Sequence, residues 1–165
     1  MAAQLNGPGP APGRVPSTEG TVLNQGMLSQ AEISDRLEIQ QLLVAYSTAI
    51  DTRRFDDLDH VFTPDAYIDY RAMGGIDGRY PQVKAWLAEV LPNFLNYAHM
   101  LGLPSIRLSG DSATARTFCF NPMVFGGERP GTMLLGLWYD DEFVRTPEGW
   151  RMSRRTEIKC FDRRP

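Results

Sequence analysis

The chain has 165 residues, of which 42% are hydrophobic, so it holds enough apolar material for one hydrophobic core but not comfortably for two. Its formal net charge of −3 argues against a nucleic-acid-binding protein, because Lys and Arg are spread along the chain apart from a late cluster within residues 151–164. That cluster falls mostly on a predicted strand and divides between its two faces, which makes a phosphate-binding patch the less favoured interpretation.

Other features exclude further classes of protein. No run approaches the roughly 20 apolar residues that a membrane-spanning helix needs, so no membrane partner is expected. The first residues lack the basic start and apolar block of a secretory signal, and the expected location is the cytoplasm. The two cysteines have neither the number nor the spacing of a disulfide framework or a metal site.

Residues 1–26 are rich in glycine and proline and contain almost no large apolar side chains. Such a segment cannot bury enough surface to offset the entropy lost on ordering. We therefore predict a flexible N-terminal arm over residues 1–27 and a single domain over residues 28–165. Met27 is a candidate start of translation, a hypothesis that mass spectrometry of the native protein would test.

The first predicted helix covers residues 30–50. Ser29 followed three residues later by Glu32 has the pattern of a capping box. Apolar residues recur at three- and four-residue steps and form one stripe, made of Ile39, Leu42, Leu43, Tyr46, Ala49 and Ile50. Asp51 follows at the helix end, where it could converge with the phenol of Tyr46. A carboxylate at the end of a buried stripe has little water around it and should have a partner.

The next segment alternates short elements. Helical spacing predicts a short helix over residues 55–62, ended by Thr63-Pro64. Residues 66–70 alternate and are rich in strand formers, which predicts a strand. Pro81 is suited to the first turn of a third helix, whose buried side includes Trp86 and which ends by Pro92.

Four strands joined by turns fill the rest of the chain. We predict them over residues 97–108, 113–124, 133–145 and 150–161. Helices followed by a meander of long strands indicate an α+β fold with an antiparallel sheet curled around the helices.

This order of elements resembles the nuclear transport factor 2-like (NTF2-like) superfamily, and specifically its SnoaL-like branch, over roughly residues 29–162. The motif Phe62-Thr63-Pro64-Asp65-Ala66 supports the resemblance as a marker of the fold. The resemblance implies a cone-shaped, curled antiparallel or mixed β-sheet packed against about three N-terminal helices, with an open end that admits the substrate. It also implies a homo-oligomer, with a trimer favoured over a dimer.

Tyr46, Asp51 and His99 resemble the phenol, carboxylate and imidazole of the bile-acid 7-alpha-dehydratases. The carboxylate and imidazole are also similar to those of hexachlorocyclohexane dehydrochlorinase and scytalone dehydratase. These families are lyases that remove a proton and a leaving group from a hydrophobic small molecule. The resemblance therefore implies that neither an organic cofactor nor a metal is required.

Chemistry explains why these three residue types would be needed. A neutral imidazole takes a proton from carbon only if its basic nitrogen faces the substrate, and a carboxylate on the other nitrogen fixes that tautomer. His99 would be the base and Asp51 its orienter. Tyr46 could protonate or hydrogen-bond the departing oxygen or an enolate.

Arg155 is a fourth catalytic candidate. Its place five residues after Trp150 resembles that of the arginine that assists the leaving group in the dehydrochlorinase. If strand alternation is strict, Arg151, Ser153, Arg155 and Glu157 share one face, and Arg155 could instead form a surface ion pair. Both interpretations stay open at this point.

Further residues are candidates for substrate binding. Asn121 stands where the bile-acid dehydratases have a further acid, which puts the leaving-group chemistry in question, and scytalone dehydratase uses an asparagine in that region. Phe118, Phe120, Met123 and Trp138 alternate in a way that suits a hydrophobic, polycyclic or aromatic ligand, although core packing explains most such residues.

Two classes of function are compatible with these patterns. The first is a cofactor-independent lyase of the dehydratase type, or an isomerase, acting on a hydrophobic small molecule. The second is a noncatalytic module for small-molecule binding or assembly, since one fold can host both. A His99 nitrogen within hydrogen-bond reach of Asp51, with the other nitrogen facing a cavity, would favour catalysis.

Overall fold

Two α-helices, three 3₁₀ helices and eight β-strands make up the described part of the computed structural model, residues 26–127 and 130–164. The α-helices are α1 (Gln30–Asp51) and α2 (Tyr80–Val90), and the 3₁₀ helices are Phe55–His60, Arg71–Met73 and Leu91–Asn93. The strands are β1 (Phe62–Asp69), β2 (Asp77–Arg79), β3 (Asn96–Tyr97), β4 (Met100–Leu101), β5 (Ser105–Ser109), β6 (Ser112–Phe125), β7 (Gly131–Thr146) and β8 (Gly149–Arg163). The predicted N-terminal arm lies, up to residue 25, outside the described residues. No helix in the described ranges is long and apolar enough to cross a membrane.

Helix α1 begins with the capping box that the sequence predicts. The amide of Glu32 donates to Oγ of Ser29 at 3.2 Å, and the amide of Ser29 donates to the Glu32 carboxylate at 2.8 Å. The apolar stripe is buried almost completely at Ile39, Leu43, Tyr46, Ala49 and Ile50. This stripe packs α1 against the sheet. Asp51, the last residue of α1, therefore lies at the edge of the core.

The sheet has the strand order β2-β1-β8-β7-β6-β3, and the short strands β4 and β5 also pair with β6. The long strands β6, β7 and β8 are antiparallel neighbours, whereas β1 runs parallel to β8. This curled, unclosed and mixed sheet with a few helices confirms the predicted α+β fold. One face of the long strands packs against the helices, and the core lies between them.

The boundary between the first two short elements differs from the prediction. The 3₁₀ helix ends at His60 and β1 begins at Phe62, so Thr63-Pro64 lies inside a strand and does not end a helix. Pro64 has no N–H to donate to a neighbouring strand. The pairing of β1 with β8 is irregular between Phe62 and Tyr67, which accommodates the missing donor.

The predicted single strand over residues 97–108 is wrong, since β3, β4 and β5 replace it. β3 and β4 keep one register on β6, but the ladder is interrupted between them. Pro122 on β6 has no N–H there, and the amide of His99 donates to Oδ2 of Asp51 at 2.9 Å instead of across the sheet. Between β4 and β5, four residue steps face only three along β6, and Leu103 is 94% exposed.

Candidate active site

A cavity of about 320 Å³ lies between α1, α2 and the inner face of the sheet. Its wall is mostly apolar, with Leu87, Leu91 and Phe94 on the helical side and Met123, Met133 and Leu135 on the strands. The polar or charged side chains that reach it from several elements are Tyr46, Tyr70, His99, Asn121, Tyr139, Glu157 and Arg164. An apolar cavity with a few converging polar groups is typical of a small-molecule site.

Asp51 holds His99 at two points. Its Oδ1 lies 2.6 Å from Nδ1 of the imidazole, and its Oδ2 accepts the His99 amide at 2.9 Å. The His99 side chain is only 5% exposed, and that of Asp51 is 26% exposed. The interruption between β3 and β4 makes the second contact possible, because the His99 amide is not used in a hydrogen bond between strands and can donate to Asp51. The ring is therefore fixed in both position and orientation.

Asn121 completes the hydrogen bonding of the imidazole from the opposite strand. An ionised Asp51 carboxylate can only accept, so Nδ1 of His99 carries a proton, and in the neutral imidazole Nε2 then carries the lone pair. Nδ2 of Asn121 lies 3.2 Å from this Nε2 and can donate to it. Oδ1 of Asn121 is buried and has no hydrogen-bond partner among the described residues. The basic nitrogen of the dyad thus lies beside an unsatisfied carbonyl oxygen at the cavity wall.

Tyr46 contributes a buried phenol next to the dyad. Its ring makes an edge contact with the His99 ring, with the centroids 6.1 Å apart. Its hydroxyl lies 2.8 Å from the hydroxyl of Tyr70, and either can be the donor. Burial raises the pKa of both phenols above the usual value, so both keep their protons at neutral pH. The two hydroxyls form a hydrogen-bonding pair on the cavity wall.

Arg155 does not reach the cavity that the described residues form. It is fully buried and pairs with Asp141 through two hydrogen bonds, Nε to Oδ1 at 2.8 Å and Nη2 to Oδ2 at 2.7 Å. Its guanidinium carbon lies 4.0 Å from the ring centroid of Tyr46 and 3.9 Å from that of Tyr139. Neither expected arrangement, at the cavity or in a surface ion pair, is the one observed. Arg155 packs against the Tyr46 ring without lining the cavity itself.

The reason lies in a bulge of β8 that the sequence pattern does not reveal. Glu142 pairs with Arg154 and Phe143 pairs with Met152, so Ser153 is an extra residue. Strict alternation therefore fails between Arg151 and Arg155. The bulge directs Arg155 into the core.

Comparison with known proteins identifies the family. The model of the SnoaL-like domain matches residues 31–156. The chain belongs to the SnoaL-like family. An uncharacterized protein of Mycobacterium tuberculosis is 70% identical over 142 residues, which cover 86% of this chain and 97% of that protein.

Two solved structures share the SnoaL-like fold. A proposed aromatic ring hydroxylase of Novosphingobium aromaticivorans is 30% identical with a TM-score of 0.69, covering 78% of this chain and 91% of that one. A proposed scytalone dehydratase of the same organism is 20% identical with a TM-score of 0.71, covering 79% and 87%. Together with an NTF2-like protein of Salmonella enterica, which is 17% identical with a TM-score of 0.69, these matches confirm the predicted fold.

Only part of the predicted substrate-binding set lines this SnoaL-like cavity. Asn121 and Met123 do. Phe118, Phe120 and Trp138 lie on the outer face of the sheet, where Phe118 packs against Trp138, so their predicted place in the cavity is corrected. Buried and partly exposed residues alternate along β6, and a strand cannot send both sets to the same face.

The predicted site residues did not include four polar or charged residues of the cavity wall, Tyr70, Tyr139, Glu157 and Arg164. Tyr70 ends the predicted alternating strand, and no sequence pattern indicated that its hydroxyl would pair with that of Tyr46. Glu157 follows Arg155 by two residues, so a correct prediction of the Ser153 bulge would have placed both inside. Burial raises the pKa of Glu157 to about 8, and its Oε2 has no hydrogen-bond partner within residues 26–127 and 130–164.

The described residues contain no group of three His, Cys, Asp or Glu side chains placed to hold a metal ion. The arrangement offers instead a base, a hydrogen-bonding phenol pair and a buried acid around an apolar space. These groups suit proton transfer to and from a hydrophobic molecule.

Proposed function

We propose that this protein is a cofactor-independent lyase of the dehydratase type, or an isomerase, that acts on a hydrophobic small molecule. The observation that supports this most is the 2.6 Å contact between Asp51 and Nδ1 of His99, with His99 on the cavity wall. A base oriented in this way can remove a proton from carbon without further chemistry.

The proposed reaction begins at Nε2 of His99. The lone pair on Nε2 takes a proton from the substrate, and the resulting imidazolium is stabilised by the Asp51 carboxylate. The amide of Asn121 gives up its hydrogen bond to Nε2 as the proton arrives and can turn toward a substrate oxygen. Tyr46, kept protonated by burial, donates a hydrogen bond to the developing enolate or departing oxygen.

The cavity supports a hydrophobic substrate of moderate size. Its volume of about 320 Å³ and its Met, Leu and Phe walls suit a compact ring system. The dehydratase-type chemistry agrees with the name of the proposed scytalone dehydratase that shares the fold. An aromatic substrate agrees with the name of the proposed ring hydroxylase at 30% identity.

A β-hydroxy ketone with an aromatic ring tests the proposal, because it has an acidic C–H next to a carbonyl and a hydroxyl that can leave. With 4-hydroxy-4-phenylbutan-2-one in D₂O, we expect the wild-type protein to exchange the α-hydrogens and to form the conjugated enone. His99→Ala and Asp51→Asn should each slow both reactions by about 10²-fold or more. NMR and ultraviolet absorbance measure them.

The control is Asp65→Asn, at an exposed position of β1, which should leave the rates unchanged. Circular dichroism should show that all three variants keep the fold. A wild-type rate no faster than that of His99→Ala would contradict the proposed enzyme and favour the binding module.

A further inference from the structure

Glu157 occupies an unusual position for an acidic residue. It lies opposite Tyr139 in the ladder between β7 and β8, and both side chains line the cavity. Oε2 of Glu157 is inaccessible to solvent and accepts no hydrogen bond from the described residues. An ionised carboxylate left this way would be strongly destabilising, whereas a protonated one needs only an acceptor or a ligand.

The charged groups near Glu157 are already committed to other partners. Arg155 gives two hydrogen bonds to Asp141, and Asp69, on the adjacent strand β1, is paired with Arg71 at 2.7 Å. Six titratable or charged groups interact electrostatically with Glu157. They are Tyr46 from α1, Asp69 from β1, Tyr70 after β1, Cys119 from β6, Tyr139 from β7 and Arg155 from β8 itself. Arg155 is the only cation in this described set.

We propose that Glu157 is a second acid of the cavity, which donates a hydrogen bond to a hydroxyl or carbonyl oxygen of an uncharged hydrophobic substrate and gives its proton to that oxygen when it departs. The proposal rests on the proposed function, and it narrows the substrate to a neutral alcohol or hydroxy ketone. Arg164 also lines the cavity but is paired with Asp162 at 3.3 Å, so an anionic group would meet no uncommitted cation among the described residues of the cavity wall.

The proton transfers balance in a dehydration. Nε2 of His99 takes the proton from carbon, the C–H electron pair becomes the new C=C bond, and the C–O bond breaks. The proton of Glu157 joins the departing hydroxyl, which leaves as water. The His99 imidazolium then loses a proton to solvent and the Glu157 carboxylate regains one, so the protein ends in its starting state.

Glu157 is better suited than Tyr46 to supply this proton. Burial raises the pKa of Glu157 to about 8, close to neutral pH, whereas burial raises the pKa of Tyr46 above its already high ordinary value. A catalytic acid works best when its pKa lies near the operating pH. Tyr46 and its partner Tyr70 remain hydrogen-bonding groups on the cavity wall.

The first test follows the carboxyl group directly. Protein labelled with carbon-13 glutamate is titrated by NMR, and the Glu157 resonance is assigned by its absence from Glu157→Gln. We expect a midpoint of about 8 for Glu157. A midpoint between about 4 and 5, the ordinary range for a solvent-exposed glutamate side chain, would overturn the proposal.

The second test measures recognition of an oxygen atom. The probes are 2-acetylnaphthalene, which can only accept a hydrogen bond, and 2-ethylnaphthalene, which has a similar shape but no oxygen. In the wild-type protein the ketone should bind more tightly than the hydrocarbon at pH 6. Its affinity should fall about tenfold by pH 9 as Glu157 loses its proton.

Glu157→Gln should bind the ketone without this pH dependence, and the hydrocarbon should show none in either protein. Equal affinity for the two probes at pH 6, or the same pH dependence in Glu157→Gln, would refute the proposal. Neither test involves turnover, so their outcome is independent of whether His99 and Asp51 catalyse a reaction.

Discussion

At the scale of single residues, Asp51, which holds the cavity residue His99, and Glu157, which lines the cavity, have opposite surroundings. Asp51 receives two hydrogen bonds from His99, through the ring and through the amide. Oε2 of Glu157 receives none from the part of the chain that the structure describes, and burial raises the pKa of that carboxyl to about 8. Environments that differ in this way assign different roles to chemically similar groups, one orienting a base and the other holding a proton.

Glu157 also gives the stability of the fold a pH dependence with a definite sign. Its pKa rises from 4.5 to about 8 on folding, so between these values the folded protein holds a proton that the unfolded chain lacks. Stability should therefore fall as the pH rises from about 5 to 8 and change little from this group outside that window. The free energy of unfolding of Glu157→Gln, which has no carboxyl proton to lose, should rise relative to that of wild type by roughly 5 kcal/mol between about pH 4.5 and 8.5.

Urea unfolding at several pH values measures this difference. Glu142→Gln is the matched control, because the Glu142 side chain is 60% exposed and should not alter the pH profile. Parallel profiles for wild type and Glu157→Gln would show that the carboxyl is not buried as a neutral group.

At the scale of elements, the outline of the fold could be predicted because the spacing of apolar residues agrees with the positions of the capping and turn residues that bound each element. The Ser29–Glu32 capping box and the apolar stripe located α1, and turn residues located the three long strands within a few positions. The predictions that failed concern features that depend on contacts with residues far away in the chain. The break at His99 depends on Pro122 across the sheet and on Asp51 at the end of α1, and no local pattern contains that information.

The same limit applied to the candidate site. The pairing of Asp51 with His99 was expected from a resemblance, whereas the inward turn of Arg155 and Glu157 depends on the bulge at Ser153. A bulge inserts one residue and reverses the faces of everything that follows, so a strict alternation from Trp150 predicts the wrong face. Long-range register, rather than composition, decided which charged residues entered the core.

The Arg155–Asp141 pair joins β7 and β8 at directly opposed positions and has no exposed surface on either side chain. Removing one partner leaves a buried charge uncompensated, so Arg155→Met should destabilise the protein by about 3–5 kcal/mol. The neighbouring Arg154 is a matched control, since its contact with Glu142 is 4.0 Å long and exposed. Arg154→Met should change stability by less than about 1 kcal/mol.

Chemical denaturation compares the two variants. Adding Asp141→Leu to Arg155→Met should recover part of the loss, because the unpaired carboxylate is then removed as well. If Arg155→Met were as mild as Arg154→Met, the ion pair would not hold the two strands together and Arg155 would be free for another role.

At the scale of the whole molecule, the outer face of the sheet carries an apolar surface opposite the cavity. The cross-strand pairs that build it are Met100 with Phe120, Phe118 with Trp138, Trp138 with Ile158, and Gly136 with Phe161. Of these, Met100 is 60% exposed, Phe161 45% and Ile158 39%. A contiguous apolar surface of this kind usually marks a contact with another protein.

The predicted homo-oligomer, with a trimer favoured over a dimer, would bury this face. A lysine at its centre would have to lose its hydration on association, so Ile158→Lys should dissociate the oligomer into monomers without unfolding it. Val44→Lys is the control, because Val44 is 51% exposed on α1 and lies away from the outer face. Sedimentation velocity should show an oligomer for wild type and for Val44→Lys, and a monomer for Ile158→Lys. A monomeric wild-type protein would exclude the oligomer, and dissociation by Val44→Lys would move the contact to the helical side.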